Sequence, residues 1–259
     1  MLICAVSHVH SISKDTHVSL SVTFTVPEGK TAKGYTDKFY AASRAANTSI
    51  YYGFATKGNK LMCRQGYHNA EGFFVYIKEV ISGKLSDGLE DVTILVSGPK
   101  QELDKIRPKI TSLHTKVTFA ELGGDNMVLG SLPESGPDTH VTVLPEFTVP
   151  QGRMTEFKAV LDKFYRAARK GTQECLYYGF AMAGDKVWCR EGYTGGRGVL
   201  EHISDVMKPL NKALRIVGGR GLKLSLMGPA SELNKLRPVF SLHNTATGFW
   251  ELDSMAYWK

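Results

Sequence analysis

The same words occur twice in this chain of 259 residues, in the same order, and that repetition limits what it can fold into more than any other feature. His17-Val18, followed by Thr25-Val26-Pro27, returns as His140-Val141 followed by Thr148-Val149-Pro150. Lys38-Phe39-Tyr40 returns as Lys163-Phe164-Tyr165, and Tyr51-Tyr52-Gly53-Phe54-Ala55 as Tyr177-Tyr178-Gly179-Phe180-Ala181. Cys63-Arg64 with Gly66-Tyr67 returns as Cys189-Arg190 with Gly192-Tyr193. Gly98-Pro99, Leu103, Arg107-Pro108 and Ser112-Leu113-His114 return as Gly228-Pro229, Leu233, Arg237-Pro238 and Ser241-Leu242-His243. An internal duplication follows, with a first copy over 1–122, a linker rich in Gly, Ser and Pro over 123–138, and a second copy over 139–259.

Each copy reads as alternating elements. Val18, Leu20, Val22 and Phe24 share one face of a strand at period two. A helix over 32–46 has its counterpart over 154–170, where Phe157, Val160, Leu161 and Phe164 form one stripe at the helical period. Strands over 51–56 and 60–67, and over 177–182 and 186–193, flank short Gly-containing loops and read as hairpins. A second helix over 71–81 or 198–214 follows, then a strand over 92–97 or 222–227. A short helix opened by Gly-Pro and a closing strand, 116–122 or 248–252, complete the unit. The order β-α-β-β-α-β with additions is the ferredoxin-like plan, an α+β fold with both helices on one face of an antiparallel sheet. The bare face of each sheet needs cover. Packing one copy on the other hides apolar area worth roughly 25 cal/mol per Å², more than closing the linker costs. The expectation is a monomer that is its own pseudo-dimer, an α+β barrel within one chain.

Charge and cysteine content exclude several classes of function. The net charge of +7 arises from 32 basic residues interleaved with 25 acidic ones, with no basic arm or aromatic-basic repeat converging on phosphates, so no nucleic-acid partner is expected. No apolar run approaches the roughly 20 residues that span a bilayer, and 1–15 lacks the order of a signal peptide; a cytoplasmic protein without membrane contact is expected. Cys4, Cys63, Cys175 and Cys189 lack metal-binding spacing and read as reduced thiols, and His8-x-His10 offers two ligands without a third, so no metal is assigned. Gly195-Gly196-Arg197-Gly198 sits like a phosphate loop between strand and helix, but Glu201 stands where the final glycine belongs and the strand before it is part of a hairpin.

Tyr177-Tyr178-Gly179-Phe180, Cys189-Arg190-Glu191-Gly192-Tyr193, Leu200-Glu201-His202-Ile203 with Val206, then Gly228-Pro229 and 232–237, resemble the antibiotic-biosynthesis monooxygenase-like superfamily, whose small bacterial members are often called quinol monooxygenases. The resemblance covers nearly all of each copy. It implies a dimeric α+β barrel, here fused in tandem, and oxygenation of phenol- or quinol-type substrates without metal or flavin, hence no cofactor. A branch of the superfamily degrades haem, and many members have no known activity.

Cofactor-free oxygenation requires a base to ionise a phenol, donors to hold the oxyanion and a dry aromatic pocket between helix and sheet. In the second copy His202 is the candidate base, Arg190 the oxyanion donor, and Tyr178, Trp188 and Tyr193 the pocket wall. In the first copy Tyr76 stands in place of His202, while Arg64, Tyr52 and Tyr67 match Arg190, Tyr178 and Tyr193; His68, in place of Thr194, is a second candidate base. The competing reading makes the aromatics core, pairs the arginines with carboxylates and leaves the histidines structural. On that reading the chain is a non-catalytic module that binds a small hydrophobic ligand or a protein partner.

Overall fold

The structure is a computed structural model and describes residues 17–82, 88–110, 116–123, 128–129, 133, 135–170, 174–241 and 246–259. Cys4, His8, His10, His114 and His243 lie outside the described residues. The first run of elements is β1 (Val18–Thr25), α1 (Ala32–Ala46), β2 (Ser49–Lys57), β3 (Lys60–Tyr67), α2 (Ala70–Ser82), β4 (Glu90–Gly98), α3 (Lys100–Ile110) and β5 (Lys116–Leu122). Two short strands follow, β6 (Val128–Leu129) and β7 (Gly136–Pro137). The same order then returns as β8 (Val141–Thr148), α4 (Met154–Lys170), β9 (Cys175–Ala183), β10 (Lys186–Tyr193), α5 (Gly196–Val217), β11 (Leu222–Gly228), α6 (Ala230–Ser241) and β12 (Ala246–Leu252), with β13 (Tyr257–Trp258) last.

Ten strands close into a ring in the order β12-β11-β8-β10-β9-β5-β4-β1-β3-β2, sealed where β5 pairs β9 and β12 pairs β2. The sheet is mixed, which corrects the antiparallel expectation: β4–β5 and β11–β12 are parallel. The physical reason lies in α3 and α6, since a helix between two strands returns the chain to the same end of the sheet and lets the next strand run parallel. The stretch read as a linker is partly stitched into the sheet, β6 to β9 and β7 to β13, and its last residue, Asp138, is buried.

The repeated motifs have structural causes. Thr31 caps α1 through Gly34 N–H, and Asn47 ends it in the left-handed region at φ 56°. Tyr40 and Tyr165, the last residues of the two Lys-Phe-Tyr words, each accept the N–H of the phenylalanine on the adjacent strand, Phe54 or Phe180, at 2.9 Å. Arg107 and Arg237 each lie over a phenylalanine ring, Phe119 or Phe249, and each pair with a glutamate, Glu121 or Glu251. On the helix side of the sheet, Phe24, Phe54, Tyr52 and Phe73 fill the first core, and Phe147, Phe157, Phe180 and Leu226 belong to the second.

The inner faces meet around two buried arginines. Arg64 on β3 donates to Thr142 Oγ1, to the carbonyls of Met227 and His140, and to Asp138, all in or beside the other half. Arg190 on β10 returns the contact by donating to the carbonyls of His17 and Ser97. Between them the rings of Tyr51 and Tyr177 stack at 5.7 Å and 11°. Gly66 and Gly192 lie directly beneath these rings, and a Cβ at either glycine would collide with the tyrosine of its own half. Gly192→Ala is therefore expected to cost about 1–3 kcal/mol of stability. A denaturant midpoint lowered at constant slope checks this, and an unchanged midpoint contradicts it.

Candidate active site

Alternation along β10 decides which of the candidate residues can work together. Cys189, Glu191 and Tyr193 belong to the side facing the helices, whereas Trp188 and Arg190 line the barrel interior. The expected grouping of His202 and Arg190 around one substrate is thus split by the sheet. Arg190 is engaged with the first half, and Arg64 with the second. His68, just past β3, is exposed and lies outside both cores.

On the helix side of the second half, a cavity of about 80 Å³ lies between α5 and the sheet, with Phe164 of α4 and Phe240 of α6 at its flanks. Val143, Phe147, Ile203 and Leu224 are among its apolar lining. Its polar groups are few: Tyr178, Cys189, Glu191 and His202. His202 comes from the buried face of α5, 3.3 Å from Glu191 Oε2 through Nε2. The Tyr193 hydroxyl donates to the same carboxylate oxygen at 2.6 Å, and the rings of Tyr178 and Tyr193 stand 5.0 and 5.3 Å from the imidazole.

Glu191 is the residue that the sequence reading missed. Its signal is a lone carboxylate at the helix-facing phase of a strand, between Cys189 and Tyr193, three residues before the loop into the helix that carries His202. Burial pushes its carboxyl up to about 7, because an ionised carboxylate has lost its water. Burial likewise pushes His202 down to about 4. The two shifts are complementary: between about pH 4 and 7 the buried pair is neutral, with the carboxyl protonated and the imidazole uncharged, and above about 7 it carries one negative charge on Glu191.

The first half builds the same positions without an ionisable pair. Tyr76 replaces His202 and its hydroxyl lies 2.9 Å from that of Tyr52. Gln65 replaces Glu191, accepts from Tyr67 at 2.6 Å and donates to Cys63 Sγ at 3.2 Å. Tyr52, Tyr67 and Tyr76 lie together in a network of neutral groups in which burial raises all three phenols. At the start of α5, where the sequence offered a loop resembling a phosphate site, Gly196 N–H is taken by Glu232 at 2.8 Å, as Ala70 N–H is taken by Glu102. Among the described residues no group of three or more His, Cys, Asp or Glu is placed to hold a metal, and no helix is long and apolar enough to cross a membrane.

No protein-family model and no curated protein matches the chain. Solved structures do. MupZ from Pseudomonas fluorescens is 28% identical over 45% of this chain and 92% of its own, with a TM-score of 0.40. A protein described as a putative monooxygenase from Fusobacterium nucleatum is 11% identical, covers 81% of this chain and 90% of its own, and gives a TM-score of 0.54. A second protein so described, from Lactobacillus acidophilus, is 8% identical over 82% of this chain and 92% of its own, with a TM-score of 0.49. The likeness to the Fusobacterium protein is one of fold, and it is the α+β barrel that the sequence resemblance implied.

The paired shifts give a test by linkage. Between about pH 4.5 and 6.5 the unfolded chain holds its proton on the imidazole and the folded chain on the carboxyl, so this pair contributes no slope to stability. Glu191→Gln leaves a histidine whose folded pKa is depressed, and stability then falls as pH drops from 6.5 towards 4. His202→Phe leaves a carboxyl whose folded pKa is raised, and stability then falls as pH rises from 4.5 towards 7. Each slope is expected near 1.4 kcal/mol per pH unit, relative to the parent, in urea titrations. Parallel curves for all three proteins contradict the opposed shifts.

Proposed function

We propose that the second half carries a monooxygenase-type site for small phenol- or quinol-like substrates, working without metal or flavin, and that the two halves are duplicated ferredoxin-like units standing in for a dimer. The observation that carries this reading is the His202–Glu191 pair at the wall of an otherwise apolar cavity. The pair, with the carboxylate free of its proton, takes the hydroxyl proton of the substrate. The resulting phenolate is electron-rich enough to reduce dioxygen directly. One oxygen atom stays on the substrate carbon, the other leaves as water, and the substrate supplies the electrons. Tyr178, whose ring stands 5.0 Å from the imidazole, is the proposed donor to the substrate oxygen. Dryness matters, because it raises the basicity of the buried carboxylate and keeps the phenolate reactive once formed. The fold shared with the Fusobacterium protein agrees with this reading.

The cavity volume favours a second reading. About 80 Å³ is less than the roughly 150 Å³ that accepts benzene in an engineered cavity, so an aromatic ring enters only if the wall yields. The yielding element is α5, whose Ile203, Met207, Leu210 and Leu214 line the space and whose ladder is interrupted at Pro209. A protein that opens this wall for a ligand without chemistry would be a binding module for small hydrophobic molecules.

Oxygen uptake with a panel of quinols and polyphenols separates the two. The enzyme reading expects turnover that rises as pH passes through about 7, where Glu191 loses its proton. Glu191→Gln and His202→Ala are each expected to lower it about 10²–10⁴-fold. Arg190→Ala, acting on the far side of the sheet, is expected to change stability in place of the pH profile. Absence of uptake with every substrate, alongside saturable binding of one of them, favours the binding module.

A further inference from the structure

The inner faces of the two sheets do not close on each other everywhere. A cleft of about 640 Å³ opens between them, lined from the first half by β1, β4 and β5 and from the second by β8, β10 and β11. Its volume is that of a small-molecule site. The lining is mixed: Ser21, Thr23, Thr93, Thr118 and Ser225 stand in it, and Trp188 with Leu95 and Leu144 supplies apolar wall. Lys116, Lys186 and Lys223 stand in the lining with a single carboxylate, Glu146. That carboxylate is occupied by Lys186 at 2.9 Å and by Trp188 Nε1 at 3.2 Å. Among the described residues neither Lys116 nor Lys223 has an ion-pair partner.

Ser21, Met62, Leu95, Leu144, Trp188 and Ser225 also line a second, smaller cavity of about 50 Å³, so the cleft continues inward. Arg64 and Arg190 both line this inner space. Arg64 is 4% exposed, and its Nε is buried with no hydrogen-bond partner while its other nitrogens are fully used. A buried donor without an acceptor is costly and rare, and needs an explanation. The inner space is the size of a carboxylate group, the outer one the size of the body attached to it.

We propose that the barrel interior is a second binding site, separate from the His202 cavity, for a small organic carboxylate. Its head takes the inner space against Arg64, and its aromatic or short apolar body lies along Trp188 among the hydroxyls. The lysines draw the anion in.

Calorimetric titration of the intact chain with benzoate, and with benzamide as its uncharged isostere, tests this. One benzoate per chain is expected, with benzamide at least about tenfold weaker. Ser225→Leu, which fills the passage between the two spaces, is expected to abolish binding. Lys116→Gln with Lys223→Gln, on exposed positions, is expected to weaken it about fivefold and to reduce its dependence on salt. His202→Ala is expected to leave it unchanged. No benzoate binding, equal binding of benzamide, retention in folded Ser225→Leu together with the lysine double variant, or loss in His202→Ala would each overturn the proposal.

Discussion

Two guanidinium groups cross between the halves of this molecule, and the rest of the structure is arranged around them. Each is buried, and each spends its donors on carbonyls and side chains of the opposite half. Arg64 faces Asp138, whose carboxyl is held down at about 2 by that cation and by His140, against the opposing effect of burial. A buried pair of this kind adds little when intact and leaves a costly charge when broken, so it specifies the registration of the halves more than it strengthens their union. The stacked Tyr51 and Tyr177, with Gly66 and Gly192 beneath them, fix the distance between sheets at the same point. Trp258 closes the cluster by donating to Asp138 from the last strand.

That registration frees the outer cores to diverge. Both keep the same phenylalanine and tyrosine scaffold, because the helices must still cover a sheet of the same shape. They differ where a strand residue and a helix residue meet: glutamate with histidine in the second half, glutamine with tyrosine in the first. The substitutions preserve hydrogen bonding and remove the ionisable pair. The buried ionisable pair is thereby confined to the second half.

The inner faces differ from the outer ones for a related reason. Val18, Leu20 and Phe24 face the helices, while Ser19, Ser21 and Thr23 alternate with them towards the interior. Mutual shielding of apolar sheet faces therefore describes only part of the contact: small apolar clusters seal it around Ile50 and Trp258, around Met62 and Trp250, and around Ala120 and Trp188. The rest is mixed, with serines, threonines and lysines standing among Ile94, Leu95 and Leu144.

The amino-acid sequence alone determined the repeated words, the element order and the α+β class, because short motifs and hydrophobic period are local properties of a chain. It also marked His202, Tyr178 and Tyr193, which the structure does bring together. Helix-mediated parallel pairing and closure of the barrel depend on which edges meet in space, and that was settled only by the tertiary structure. So was the separation of Arg190 from His202: neighbours along a strand point to opposite faces, and residue type says nothing of which face holds a cavity. Glu191 was legible as a carboxylate of unusual phase, but its raised pKa exists only once the helix has removed its water.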